Sequence, residues 1–361
     1  MPRVADLQIR IGDLPPGPTG SVVDVPGVGL GHATLWRDEP EPPLGRGVAR
    51  TGVSVLLPAQ DTFRRPVVAG AAVLNGAGEC TGLLTAGEWG VVETPVFLTS
   101  TMQLGRVYDA ACELMTERDP GVAEDVVIPV VGECDDSWLS DARRMQVTRE
   151  DVAAAWAAAE ASVASTVAPA EGSVGAGTGM MCMGFKGGIG TSSRRLSTGH
   201  MLGVVLLCNF WGSRGRLCVD GVPVGRLLPP DPDPPGRSPA GSCIGIAVTD
   251  APLLPDECER VARRIGLGMA RTGSVANHGS GEIFLGISTG LRSDRTGRLG
   301  GGEPLRGSAV DELFEAVVDA SEESVLNALL SSATVVGRGG HVSEGLPVDA
   351  VRRLLAEHGR G

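Results

Sequence analysis

Residues Gly241–Glu257 read GSCIGIAVTDAPLLPDE, a mainly apolar run that opens with Gly-Ser and contains two prolines near its end. Within it, Ser242–Thr249 has the length and the small or apolar side chains of a buried strand. Directly before it, residues 229–239 read PPDPDPPGRSP, and this composition continues neither a strand nor a helix. We therefore predict a proline-rich linker over residues 221–241 that leads into a buried strand.

Strands and helices are predicted on both sides of this run, in no regular order. The further predicted strands are Ser21–Val28, Val53–Pro58, Val67–Leu74, Val126–Val131, Met201–Phe210 and Ile283–Ser288. The predicted helices are Thr101–Leu114, Thr148–Ser165, Pro255–Thr272, Asp311–Ser331 and Pro347–His358. Thr148 and Asp151 form the pattern of a helix N-cap. Because there is no regular βαβ alternation, the sequence favours a layered α+β fold.

The composition excludes several functional classes. The chain has 361 residues, of which 42% are hydrophobic and 20% charged, so it is long enough for a substantial core. Its net charge of −12 and its 3% of aromatic residues argue against a nucleic-acid partner or an anionic membrane surface. The longest apolar stretch, Met201–Trp211, is far shorter than the roughly 20 residues of a membrane span. Residues 1–17 lack an apolar signal core, so we expect a soluble, cytoplasmic protein.

The cysteines and glycines suggest no cofactor. Eight cysteines are spread along the chain without a C-x-x-C pair or a metal-ligand spacing to histidine, so we expect reduced thiols and no metal. The glycine-dense segment Glu171–Arg195 does not match a dinucleotide-binding loop, since a predicted helix precedes it. It is no P-loop either, because the only lysine, Lys186, precedes its glycines. We interpret the segment as close backbone packing or as the floor of an active site.

The Gly241–Ser242 bond has the chemistry of a self-cleavage site. If this bond breaks, Ser242 becomes an N-terminus that carries both a hydroxyl nucleophile and an α-amine. The amine, whose unperturbed pKa is about 7.7–8.0, can act as the general base for that hydroxyl without a histidine. Gly241 has no Cβ and so permits a strained peptide. The dipeptide also occurs in ordinary turns, and only the surrounding motifs separate the two interpretations.

Seven segments match, in order, the motifs of one family. They are VVDVPGVGLGHATL (Val22–Leu35), NGAGECTGL (Asn75–Leu83), LTSTMQLGRVYDA (Leu98–Ala110), PVVGECDDSWLSD (Pro129–Asp141), VGAGTGMMCMGFKGGIGTSSR (Val174–Arg194), the run Gly241–Glu257, and HGSGEIFLGIST (His278–Thr289). Over nearly its whole length the chain resembles the self-cleaving L-aminopeptidase/D-alanine esterase and β-peptidyl aminopeptidase family.

This resemblance implies a fold and an activity. The implied fold is an αββα sandwich similar to the N-terminal nucleophile (Ntn) hydrolases, with residues 1–361 in a single domain. Autocatalytic cleavage is expected between Gly241 and Ser242, giving chains 1–241 and 242–361 that stay associated, as a tetramer of the pair. The implied reaction removes N-terminal residues from short peptides, amides or esters through an acyl-enzyme on Ser242, without a cofactor.

The resemblance also assigns roles to single residues. Ser242 matches the nucleophile, and Ser280 and Glu282 match the pair that orients and tunes it. Asn209 matches the asparagine that helps to hold the oxyanion. Glu133 matches the acid that pairs with the substrate's ammonium group.

Each of these residues has a simpler interpretation. Ser280 can be a turn hydroxyl, Glu282 a surface carboxylate and Asn209 a purely structural amide. Glu133 can belong, with Asp135–Asp136, to a solvated acidic turn. Those carboxylates also suggest a metal site, but no histidine lies nearby.

One departure from the family concerns an aromatic hydroxyl. Some relatives use a tyrosine near the nucleophile, whereas the only tyrosine here, Tyr108, lies in a predicted helix. Trp138 lies in the block where an aromatic residue is expected. It can pack on a substrate side chain, but it has no hydroxyl to offer an oxyanion. We expect a structural role for His278.

Two other functions stay open. An acyltransferase of the same general fold would pass the acyl group to an amine. The related ornithine acetyltransferases begin their second chain with threonine, whereas this chain has Ser242. A non-catalytic relative would act as a binding protein, and the presence of Ser242, Glu282 and Asn209 argues against it.

Overall fold

The computed structural model describes residues 2–229 and 241–360, and these residues form 15 strands and seven α-helices. The strands are β1 Gly29–Asp38, β2 Val48–Leu57, β3 Val67–Gly76, β4 Val91–Val92, β5 Val96–Ser100, β6 Val130–Cys134, β7 Met181–Cys182, β8 Phe185–Lys186, β9 Gly188–Arg195, β10 Met201–Asn209, β11 Ser242–Thr249, β12 Gly281–Ser293, β13 Leu299–Gly301, β14 Val335–Val336 and β15 Val342–Ser343. The helices are α1 Leu83–Glu88, α2 Leu104–Arg118, α3 Arg149–Ser162, α4 Val224–Leu227, α5 Pro255–Arg271, α6 Asp311–Leu330 and α7 Val348–Glu357.

Two sheets pack face to face at the centre of the molecule. The smaller sheet has the order β1-β2-β5-β6. The larger sheet has the order β4-β3-β12-β11-β10-β9, with β13 paired to β12. Alternate residues of each strand enter the shared core, and those of the central strand β11 are Ile244, Ile246 and Val248. This period of two is the reason why one face of each sheet is mainly apolar.

Helices cover the outer face of each sheet. Helices α2 and α3 pack on the smaller sheet, where Trp156 of α3 meets Phe97 of β5 edge to face. Helices α5 and α6 pack on the larger sheet and on each other. The layers therefore run helix, sheet, sheet, helix, which confirms the predicted α+β fold and its αββα sandwich.

Glycines allow the helices to lie very close to the sheets. A Cβ on Gly31 of β1 would overlap the backbone of Ala159 in α3, and one on Gly190 of β9 would overlap the carbonyl of Ser324 in α6. This is the close backbone packing that the glycine-dense segment predicts, and that segment supplies β7, β8 and β9.

The local sequence patterns correctly predict the clearest strand and the clearest helix start. Ser242–Thr249 is a strand with the predicted bounds. The helix α3 has the predicted cap, since the backbone N–H of Thr148 donates to Asp151 Oδ2 at 2.8 Å. No helix in the described part of the chain has the length and apolar character needed to cross a bilayer.

Three predicted segments are wrong in part or entirely. Of the predicted strand Val126–Val131, only Val130 and Val131 are strand residues, at the start of β6. Ser21–Val28 is not a strand, because the Asp24 carboxylate accepts hydrogen bonds from the N–H groups of Thr19 and Ser21 and closes a turn. The predicted linker 221–241 does not begin at its first residue, since α4 is ordered and Val224 is buried. The remainder of the linker, residues 230–240, lies outside the described residues.

Candidate active site

Three neighbouring strands bring the predicted site residues to one edge of the larger sheet. Strands β10 and β11 are antiparallel, so the last residue of β10, Asn209, lies opposite the first residue of β11, Ser242. Strands β11 and β12 are parallel, so Ser242 also lies beside Gly281, the first residue of β12. Ser280 and Glu282 flank Gly281 in the sequence. Four of the predicted residues therefore lie at or beside adjacent strand ends.

Ser242 lies at the entrance of the core between the two sheets. Its side chain is 5% exposed and shares the strand face of Ile244 and Ile246, which point between the sheets. Burial raises the pKa of the Cys134 thiol on β6, and the nearby Ser242 side chain acts in the opposite direction. The hydroxyl therefore faces the smaller sheet.

The residue before Ser242 is tightly enclosed. The carbonyl oxygen of Gly241 accepts a hydrogen bond of 3.2 Å from the backbone N–H of Gly281. A Cβ on Gly241 would overlap the backbone nitrogen of Trp211. A backbone donor thus already holds the oxygen of the Gly241–Ser242 peptide, and only glycine fits before the serine.

Ser280 and Glu282 form a buried hydrogen-bonded pair. The Ser280 hydroxyl donates to Glu282 Oε1, and both side chains are shielded from solvent. Burial raises the pKa of the Glu282 carboxyl, and hydrogen bonds from Ser280 and Asn75 act in the opposite direction. The surface-carboxylate interpretation of Glu282 is therefore wrong.

The amide of Asn209 is held at both of its polar atoms. Its Oδ1 accepts from the backbone N–H of Met181 at 2.8 Å, and its Nδ2 donates to the carbonyl of Asp135 at 2.9 Å. A side-chain amide carries two N–H groups, so one of them is left for another acceptor.

Glu133 is a buried carboxylate close to the start of β12. It is 4% exposed, and its two oxygens accept from the backbone N–H of Glu79 and from the hydroxyl of Thr101. A Cβ on Gly78 would lie 3.4 Å from Glu133 Oε1 and 3.6 Å from the Cα of Gly281, so only Gly78 separates the two. Burial raises the pKa of Glu133. A solvated acidic turn is therefore the wrong interpretation of this residue.

The aromatic residues take different positions. The ring of Trp138 stacks on His341, with 3.8 Å between ring centroids and 10° between planes. The segment that carries Trp138 borders the site through the contact of Asp135 with Asn209. Tyr108 of α2 packs against the outer core on the far side of the smaller sheet, and His278 is exposed.

Sequence reasoning missed several residues that support the site. It gave no role to Thr101 or Glu79, although both lie in motif segments that the family shares. It gave Lys186 no role in the site, whereas the side chain is buried against the carbonyls of the glycine-dense segment. Among the described residues, no group of three or more His, Cys, Asp or Glu side chains has the arrangement of a metal site.

Comparisons with known proteins agree with the geometry. The sequence model of peptidase family S58 matches residues 20–343. The β-peptidyl aminopeptidase BapA of Sphingosinicella microcystinivorans is 34% identical, over 99% of this chain and 93% of the relative. The solved structure of a Burkholderia β-aminopeptidase is 37% identical with a TM-score of 0.88, and it covers 100% of both chains.

A further solved structure describes the fold. The L-aminopeptidase D-Ala-esterase/amidase of Ochrobactrum anthropi is 31% identical with a TM-score of 0.88, over 100% of this chain and 99% of that one. It is called a prototype for the serine aminopeptidases and a new variant of the Ntn hydrolase fold. The resemblance seen in the sequence motifs is thus confirmed over the whole chain. The chain belongs to peptidase family S58, and it is an aminopeptidase.

Proposed function

We propose that this aminopeptidase cleaves its own chain at Gly241–Ser242 and then uses Ser242 as its nucleophile. One observation carries the proposal. Ser242 is the first residue of a central strand, in register between Asn209 and Gly281, and it directly follows a glycine whose carbonyl oxygen is already hydrogen-bonded.

Self-cleavage begins with attack of Ser242 Oγ on the carbonyl carbon of Gly241. The peptide C–N bond breaks, an ester forms at Oγ, and the departing nitrogen takes a proton to become the α-amine of Ser242. Water then hydrolyses the ester and frees the hydroxyl. The Gly281 N–H, at 3.2 Å from the Gly241 oxygen, is aligned to stabilise the oxyanion of the first step.

Turnover repeats the same chemistry on a substrate. The new α-amine accepts the proton of Ser242 Oγ as the hydroxyl attacks the carbonyl of the substrate's first residue, and it returns the proton to the leaving group. The remaining N–H of Asn209 stabilises the oxyanion, a contribution of roughly 3–4 kcal/mol. The Ser280–Glu282 pair orients the nucleophile and its amine. Water then releases the acyl group from Ser242.

The substrate class follows from a carboxylate in the site. Glu133 is buried near Gly281, where it can pair with the free ammonium of a short peptide, amide or ester. The names of the relatives, which include aminopeptidases, an esterase and an amidase, support this range. Trp138 contributes an apolar surface for the substrate side chain.

The two chains stay associated in this proposal. Strands β11 and β12 of the second chain lie between β3 and β10 of the first in one continuous sheet. Separating them would expose the core between the sheets, which opposes dissociation. The family resemblance further supports a tetramer of this pair. The eight free cysteines are in keeping with a cytoplasmic location. Light scattering on the purified enzyme and fractionation of its source cells test these two points.

Intact-mass spectrometry of the active enzyme tests the proposal. Cleavage gives chains of 241 and 120 residues, about 25 and about 12 kDa of the 37.1 kDa total. We expect both masses in one chromatographic peak. A single full-length mass in fully active enzyme would contradict self-cleavage.

A further inference from the structure

The only lysine of the chain is buried beside the site. Lys186 is 0% exposed, and its Nζ donates to the carbonyls of Gly177, Met180 and Gly187 at 3.0, 2.7 and 2.8 Å. These three bonds use all the hydrogens of an ammonium group. A buried ammonium is costly unless it is bonded in this way, so Lys186 holds the backbone of the glycine-dense segment in one conformation.

A buried carboxylate lies on the other side of the same backbone. Asp136 is 3% exposed and accepts a hydrogen bond of 2.7 Å from the Ser100 hydroxyl. A Cβ on Gly179 would lie 2.8 Å from the Cβ of Asp136, so the segment Gly177–Met180 passes between this carboxylate and Lys186. Burial is the main influence on both, lowering the pKa of Lys186 to about 7 and raising that of Asp136 to about 7.

Met181 and Asp135 are the two anchors of the Asn209 amide, because each makes a hydrogen bond to it. Lys186 binds the residue before the first anchor, and Asp136 is the residue after the second. Lys186 holds the carbonyl of Met180, and the next N–H, that of Met181, donates to Asn209 Oδ1. Asp136 follows Asp135, whose carbonyl accepts from Asn209 Nδ2.

The hydrogen bonds to Met181 and Asp135 allow the Asn209 amide only one orientation. A backbone N–H only donates and a carbonyl only accepts, so Oδ1 must face Met181 and Nδ2 must face Asp135. The remaining N–H then has a fixed direction. Displacing either anchor would turn that N–H away from the oxyanion.

We propose that Lys186 and Asp136 are positioning residues that hold the Asn209 amide in its oxyanion-binding orientation from the two sides of the segment Gly177–Met180. This inference rests on the proposed role of Asn209. The class of ligand that the arrangement serves is the oxyanion of an acyl-transfer intermediate.

A double-mutant cycle on the cleaved enzyme tests the coupling, with the cleaved fraction measured by intact mass. Asn209→Ala is expected to lower kcat about 10²–10³-fold. Lys186→Met should lower kcat roughly 10²-fold with little change in KM, because an oxyanion contact exists only in the transition state. The variant that combines both changes should lose little beyond Asn209→Ala alone.

A second cycle uses Asp136→Asn, which keeps the side-chain volume and an oxygen for Ser100. It gives the same expected result and replaces the first cycle where the Lys186→Met chain does not fold. Arg194→Met is the matched control, since Arg194 is also a buried cation that donates to carbonyls, those of Ile11 and Ser193, at the far end of β9. The fold-loss in kcat from Arg194→Met should multiply with the fold-loss from Asn209→Ala in the variant that carries both changes.

The outcomes separate this inference from the proposed function. If the fold-losses in kcat from Asn209→Ala and from Lys186→Met or Asp136→Asn multiply, as they should in the control, the two sites act independently. The positioning role is then overturned, while Asn209 keeps its oxyanion role. If Asn209→Ala leaves kcat unchanged, both the oxyanion role of Asn209 and the inference built on it are overturned.

Discussion

Ser242 and Asn209 lie directly opposite each other in the antiparallel register of β10 and β11. Opposite residues in such a pair have Cα atoms about 4.5–5.5 Å apart, so one small acyl group can touch both side chains. The hydroxyl and the amide thus share a single strand edge, and the Gly281 N–H lies on the other side of Ser242.

Replacing the nucleophile should stop two reactions at once. In Ser242→Ala neither self-cleavage nor peptide turnover is expected, because the same hydroxyl serves both. Ser242→Thr and Ser242→Cys keep a nucleophilic atom and should retain some cleavage. The measurements are intact mass over time and release of p-nitroaniline from an amino-acid p-nitroanilide. Normal turnover by an uncleaved Ser242→Ala chain would place the nucleophile elsewhere.

The glycine before the serine should resist substitution, whereas a nearby glycine should not. In Gly241→Ala the new Cβ overlaps Trp211, so the Gly241 carbonyl must shift from the Gly281 N–H and self-cleavage should slow at least tenfold. Gly279 has open space around its Cβ position, so Gly279→Ala is the matched control and should cleave at the wild-type rate. Time courses of intact mass compare the two. Equal rates would show that the enclosure of Gly241 has no part in cleavage.

Glu133 should distinguish free from blocked amino termini. Removing one partner of a buried ion pair leaves the other charge unpaired, so Glu133→Gln should reduce the preference for a free-amine substrate over its N-acetyl form by roughly 100-fold or more. Self-cleavage involves no free ammonium and should be spared.

The measurement is kcat/KM for an amino-acid p-nitroanilide and its acetylated form. Glu79→Gln is the control, because this exposed carboxylate lies next to Glu133 but bonds to the N–H of Cys80. A ratio that stays the same in Glu133→Gln would transfer the role to Asp135 or Asp136.

The same carboxylate gives a pH dependence with a definite sign. Burial, with the nearby charges of Asp135 and Glu79, raises the pKa of Glu133 above its usual 4.5. As the pH falls through this raised pKa the carboxylate takes a proton and loses its attraction for an ammonium group. The KM of a free-amine substrate should therefore rise toward acid pH in the wild type and stay flat in Glu133→Gln. Initial rates between about pH 4.5 and 7 test this, and identical KM profiles would contradict it.

Local features of this protein were predictable from short stretches of sequence. The strand Ser242–Thr249 and the cap Thr148–Asp151 depend on residues within a few positions of each other, so their patterns carry the structure directly. Family motifs identified the site residues Ser242, Ser280, Glu282, Asn209 and Glu133. Such motifs name residues but do not show how they are arranged in space. The failure at Ser21–Val28 has a local cause, since the Asp24 hydrogen bonds outweigh the strand propensity of its valines.

The sequence by itself thus determined a layered α+β fold, and the family motifs that it carries implied the αββα sandwich and the proposed catalytic residues. Only the tertiary structure decided that Asn209, Ser242 and Gly281 share one edge, since strand order and register depend on packing between distant segments. It also decided that Glu133 is buried and that Lys186 faces carbonyl oxygens. Burial and hydrogen-bond partners set the charge and direction of a polar group, and both arise only when remote parts of the chain meet.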